Sequence, residues 1–319
     1  MNAAPRPLPT PALPLPAAPA AQTRRPTGLS GFDMALYATV VFAWSTSWIA
    51  LKWQLGVVSP EVSIMWRFAI ASVIMFAWAG MSGARLRYPP AMHLRFLALG
   101  LLIFAFNFVS FYYGGLSTPS GLLAVVFSTA SLFNMLLAWP ILGQRIEGRV
   151  ALGAALGLGG VFLMFAPRLF GASFDAAAAL GLGLCVFGTL LFCSGNMLSA
   201  WIQRGGVAVI PATAWGMLYG ALSLAAFAAA KGDPFVVEPT AKYVGGLLWL
   251  STVSSVMAFV AYLTLLGRIG AARAGYSTVM FPVFALLIST VVEGYQWTTP
   301  AALGLALVMA GNVLVLRRR

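Results

Sequence analysis

The sequence predicts an all-α polytopic membrane protein, with ten transmembrane helices built as two inverted five-helix repeats. Three observations carry that expectation. Hydrophobic residues make up 61% of the chain and charged residues only 8%, with a mean hydropathy of +0.90, whereas ordinary globular domains are roughly one quarter charged. Ten apolar runs follow one another, each close to the ~20 residues that cross hydrocarbon, with connections too short to hold a soluble domain. The chain also resembles itself when displaced by about half its length.

The first segment, 1–31, carries Pro5, Pro7, Pro9, Pro11, Pro14, Pro16, Pro19 and Pro26, so it forms no helix and lacks the unbroken apolar core of a signal peptide. It reads as a disordered, proline-rich cytoplasmic tail. The apolar runs lie near 33–55, 61–80, 93–113, 119–142, 150–166, 177–203, 210–230, 242–266, 272–292 and 298–316. The five in 32–166 make the first repeat and the five in 167–319 the second, within one membrane domain.

A net charge of +12 marks no nucleic-acid partner, because the cations sit in short gaps between apolar runs and form no basic stripe. They orient the chain instead. With the N-terminus in the cytoplasm, Arg6, Arg24, Arg25, Arg85, Arg87, Arg95, Arg145, Arg149, Arg204, Arg268, Arg273 and Arg317 to Arg319 fall inside. Only Lys52, Arg168, Lys231 and Lys242 fall outside, the asymmetry of the positive-inside rule. Both termini of this multi-pass membrane protein are then cytoplasmic.

The repeat matches Ser45 with Ser194, Gln54 with Gln203, Gly56 with Gly205, Val58 with Val207 and Trp66 with Trp215, and further on Gly153 with Gly304 and Gly160 with Gly311. Five crossings are an odd number, so the second half enters the membrane from the opposite side. Such inverted repeats are typical of secondary transporters, which bind cargo near the bilayer midplane between the halves. The glycines of the fifth and tenth runs permit close backbone approach, within one chain or at a dimer seam; monomer and homodimer both remain open.

The stretch "FAWSTSWIALKWQLGVVSPEVSIMWRFAIASVIM" resembles the opening of the drug/metabolite transporter superfamily, EamA type. The features that carry the likeness are Trp44, Ser45, Lys52, Pro60, Arg67 and Phe68. Within that superfamily the chain looks most like the aromatic amino-acid exporters of bacterial inner membranes. The resemblance implies a carrier, no enzymatic activity and no cofactor. It also marks Pro282 as the family's mid-helix proline, whose repeat mate here is Ser131 or Leu132, which puts a symmetric hinge in doubt.

Polar side chains inside membrane helices point away from lipid. Candidates for touching cargo are therefore Trp44, Ser47 and Trp48 in the first run, Phe104, Asn107 and Phe111 in the third, and Ser128 in the fourth. The second half adds Ser194 and Asn196, then Ser255 and Tyr262, then Tyr276 and Met280. Together they describe a chamber with aromatic walls and scattered hydrogen-bonding groups, suited to a flat, partly apolar molecule. Each serine also has a packing explanation, a bond back to its own helix. Arg67, with Pro282 and Glu293, is assigned to structure and gating, and His93 to the surface. Cys185 and Cys193, about 12 Å apart along one helix, are small apolar fillers.

No metal site is expected, because no His/Cys/carboxylate group has ligand spacing. The seven acidic residues all lie at or beyond the ends of the runs, so no buried carboxylate is expected. That points to a neutral or zwitterionic amino acid carried by alternating access as facilitated diffusion, with Glu293 the least secure exception. The competing readings are a proton-coupled exporter of drugs or hydrophobic cations, which needs an interior carboxylate, and a non-transporting receptor or structural subunit.

Overall fold

The computed structural model describes residues 30–142, 148–170, 174–269 and 277–316. Ten helical segments follow: α1 (Gly31–Lys52), α2 (Pro60–Met81), α3 (Pro90–Ser117), α4 (Ser120–Ser128 and Ala130–Leu142), α5 (Gly148–Leu169), α6 (Ala176–Arg204) and α7 (Val209–Lys231). They continue as α8 (Ala241–Leu248, Trp249–Met257 and Ala258–Ile269), α9 (Ser277–Glu293) and α10 (Thr299–Leu316). Among the described residues nine are long and apolar enough to span a membrane, and α9 is shorter; its expected start at 272 lies outside the described residues.

Local chemistry sets the ends. Ser30 caps α1 with Asp33 in a reciprocal capping box, satisfying two orphan amides. Pro60 and Pro90 open α2 and α3, where a missing N–H costs nothing. Asp175 caps α6 through the Ala178 N–H and pairs with Arg168. That amide bond first, and the guanidinium second, hold its carboxyl below the usual range. α7 ends at Gly232 with φ +77°, a left-handed cap.

The helices pair as a two-fold arrangement requires. α5 packs on α10, α2 on α7 and α4 on α9, while α1 touches α8 and α9 as α6 touches α3 and α4. A Cβ on Gly153 would meet the Gly311 carbonyl at 2.9 Å, and one on Gly160 the Gly304 carbonyl at 2.5 Å. Each glycine thus touches the repeat mate of the other, and the seam these glycines form lies within one chain. The tryptophans do likewise. Trp66 donates its indole N–H to the Val236 carbonyl in the α7–α8 connection, and Trp215 donates to Leu86 in the α2–α3 connection.

Two features were not expected from the sequence. α3 turns π-helical at Gly100–Ala105 and α8 at Trp249–Met257, starting 149 residues apart (249 − 100) and so at equivalent places in the two repeats. α4 is interrupted at Thr129, although it contains no proline or glycine there. Hydroxyls cover the interruption: Ser128 donates to Val125, Thr129 to Val126, and Asn312 of α10 bonds both Ser128 and Ser131. α9 instead runs unbroken through Pro282. The two mates thus differ, and the interruption falls at Thr129 of α4 and not at the mid-helix proline of α9.

Candidate functional site

The centre of the bundle is an aromatic cluster drawn from both repeats. Trp48 is 8% exposed; its ring lies 5.3 Å from Phe111, 5.5 Å from Phe127, and stacks at 6.5 Å on Phe281. Phe192 of α6 closes on Phe127 at 4.8 Å. Trp44, one turn from Trp48, sits 5.3 Å from Tyr262 and 6.2 Å from Phe281. Spacing of i and i+4 put the two tryptophans on one face, and α3, α4, α8 and α9 supply the rings that meet them. Phe127, Phe192 and Phe281 escaped the sequence reading, since a phenylalanine in an apolar run carries no periodic mark.

Asn107 comes from α3 just past its π-helical stretch. It is buried, and its Oδ1 accepts no hydrogen bond, an unusual state for an interior amide. Asn196 is half-buried and donates to Asn134 of α4 at 3.4 Å. Asn134 was missed, and only its amide among apolar neighbours could have signalled it.

The other candidates are placed more variously. Ser47 donates to the Trp44 carbonyl and Ser194 to Leu190, local bonds of the packing kind. Ser128 belongs to the α4 interruption. Phe104 packs on Phe68 and against Gly216 and Gly220 of α7, away from the cluster. Met280 is 42% exposed, and its neighbour Phe281 takes the inward position. Tyr276 lies outside the described residues.

Arg67 is buried; its Nε donates to Ser255 at 3.1 Å, and the guanidinium carbon stands 4.3 Å from the Phe108 ring centroid. This joins α2, α3 and α8 at one level.

One end of the bundle, here the Glu61 end, is tied by charge. Glu61 is 1% exposed, which corrects the expectation that no carboxylate is buried. It does sit in the first turn of α2, but Lys231, 170 residues away, folds over it at 2.9 Å and Tyr113 donates to it at 3.0 Å. Glu293 accepts from the Ser120 amide at 2.9 Å, from the Ser120 hydroxyl and from Ser289 at 2.6 Å. A carboxylate there complements the N-terminus of α4. Lys52, 4.0 Å from Glu293, donates to the Gly115 and Thr118 carbonyls at the end of α3. At the opposite end His93 is half-buried, bonded to Tyr219 at 2.9 Å and set edge-on to Trp215 at 4.6 Å, a packed position rather than the surface one expected.

Against this geometry stand the comparisons with known proteins. The EamA-like transporter family matches twice, over residues 32–166 and 179–317. A protein of Escherichia coli (strain K12) named "Probable amino-acid metabolite efflux pump" is 25% identical over 304 residues, covering 91% of this chain and 98% of that one. A protein of Streptantibioticus cattleyicolor named "Probable terminal-alkyne amino-acid exporter" is 26% identical, covering 91% and 95% respectively. A crystal structure with 19% identity superposes with a TM-score of 0.64 over 88% of this chain and 95% of that one, a likeness of fold.

Proposed function

Because the chain belongs to the EamA-like transporter family, and is therefore a membrane transporter of that type and not an enzyme, we propose that it exports neutral or zwitterionic amino acids with aromatic or other apolar side chains. Export runs across the bacterial inner membrane by alternating access, with both termini cytoplasmic. The repeats 32–166 and 167–319 rock about the site between them.

The observation that carries this reading is the aromatic enclosure of Trp48, Phe111, Phe127 and Phe281 beside the unsatisfied Asn107 Oδ1. Rings offer a flat apolar side chain offset and edge contacts, and a lone buried acceptor has capacity for an ammonium donor. The names of the two amino-acid transporting relatives agree with it. Glu61, the carboxylate buried deepest at its end, is already neutralised by Lys231, so the reading keeps facilitated diffusion as the energetics.

The test is counterflow of labelled L-phenylalanine and a panel of other amino acids in liposomes holding the purified protein. Phenylalanine is expected to exchange, a pH step alone to drive no accumulation, and Trp48→Ala to lower phenylalanine exchange by about tenfold through lost ring contact. Counterflow confined to cationic dyes, or indifference to Trp48→Ala, would overturn the reading.

A further inference from the structure

Arg67 is a cation inside the bundle with no anion against it among the described residues. Along α2 it stands about 9 Å from Glu61, and Glu61 is already held by Lys231 and Tyr113. No Asp or Glu among the described residues forms an ion pair with Arg67. Such a charge is costly unless something compensates it.

The protein fixes how the guanidinium is presented. Nε is spent on Ser255, and the faces of Phe108 and Phe68 lie 4.3 Å and 5.0 Å from its carbon, so the plane is set by ring contact. Beyond the Nε bond to Ser255, the guanidinium donates to no carboxylate and no backbone carbonyl among the described residues. The Tyr112 hydroxyl, buried, stands within interaction range of the guanidinium and has no other partner among the described residues. A guanidinium edge with two parallel donors matches a carboxylate with two acceptors.

The rest of an amino acid finds its counterparts on α3, the helix that carries Phe108. Asn107, next to Phe108 in the chain, offers an unsatisfied Oδ1. Phe111, about 4.5 Å further along α3, touches Trp48. We infer that Arg67 is the carboxylate anchor of the transport site, its Nη edge holding the cargo carboxylate while Asn107 accepts from the ammonium and the side chain reaches the Trp48 enclosure. This rests on the amino-acid reading and sharpens it: cargo must carry a carboxylate, and cations lacking one are repelled. It also changes the role of Arg67 from gate support to direct contact.

The experiment is inhibition of labelled L-phenylalanine counterflow in liposomes by unlabelled L-phenylalanine, 3-phenylpropanoate and phenethylamine. With the unaltered protein, phenylalanine and 3-phenylpropanoate inhibit, and phenethylamine, which has the ring and the ammonium but no carboxylate, does not. Arg67→Gln raises the half-saturating phenylalanine concentration by about tenfold or more, as expected for losing a charge-assisted pair, and abolishes inhibition by 3-phenylpropanoate. Arg67→Lys restores part of both, which a packing role alone does not predict. Ser255→Ala, which frees Nε without removing the charge, raises half-saturation more than it lowers maximal exchange. Phenethylamine inhibiting as well as phenylalanine, or Arg67→Gln exchanging phenylalanine as the unaltered protein does, overturns the inference and leaves the amino-acid reading standing. No counterflow of any amino acid by the unaltered protein overturns both.

Discussion

The α5–α10 seam and the α4–α9 pair are related by the same internal two-fold, yet they are built on opposite plans. Along the seam, glycine meets glycine and backbone meets backbone: Gly153 lies on Gly311, and Gly160 on Gly304. The two members are chemically alike and leave no room for change. In the α4–α9 pair the members differ. α4 is broken at Thr129 and held by hydroxyls and Asn312, whereas α9 carries Pro282 without breaking. In the proposed cycle the seam serves as the axle and the α4–α9 pair as the moving part, because close packing transmits strain while an interrupted helix held by side-chain bonds has alternatives available.

The largest expected effect is at the seam. Gly160→Leu sets a side chain where a Cβ alone would stand 2.5 Å from the Gly304 carbonyl, backbone that cannot yield as a side-chain tip can. We expect destabilisation of about 3 kcal/mol, read as a lower thermal midpoint in detergent with loss of folded yield. A Gly160→Leu protein with unchanged midpoint would mean that the seam slides, and the contrast with α4–α9 would vanish.

The second effect is smaller and concerns the break. Asn312→Ala removes the amide that bridges Ser128 and Ser131 and leaves their hydroxyls only the bonds back to their own helix, for a cost of about 1–2 kcal/mol. Because these bonds hold α4 rather than the seam, its effect on phenylalanine exchange should exceed that of an equally destabilising seam substitution. Equal loss of exchange at equal loss of stability would show that the break has no special part in the cycle.

What the sequence made legible follows the same division. The small-residue faces could be read from Gly153, Gly160, Gly304 and Gly311, since small residues at helical spacing permit close helix approach in a membrane; that the two faces meet each other could not. The face of Trp44 and Trp48, and the inward turn of Asn107, also followed from spacing and from the cost of polarity in lipid. The break at Thr129 did not, because a hydroxyl bonding its own helix is ordinary and only Asn312, nearly two hundred residues on, makes it structural. The π-helical stretches left no compositional trace. Glu61 was placed correctly at a helix end but taken as unburied, since its partner Lys231 comes from the other repeat. Arg67 was found at once as the lone interior charge; its missing anion became visible only when its neighbours were in place.

The smallest effect tests whether the moving part is latched at the Glu61 end. The first amide of α4, at Ser120, is held by Glu293, with Lys52 bridging from α1 to the carbonyls that end α3. These groups are partly exposed, so the latch is weak and screened, and its release should be local. In Glu293→Gln, hydrogen exchange of the amides at 120–123 is expected to quicken by about three- to tenfold, while those at 153–160 on α5 keep the rate they have in the unaltered protein. A carboxamide can still accept one bond from Ser120, but it loses the charge that the helix N-terminus and Lys52 both favour. If the α5 amides quicken together with those of α4, the two regions open as one unit and the axle does not exist. If neither changes, Glu293 is not the latch, and the closure of that end falls to Glu61 and Lys231 alone.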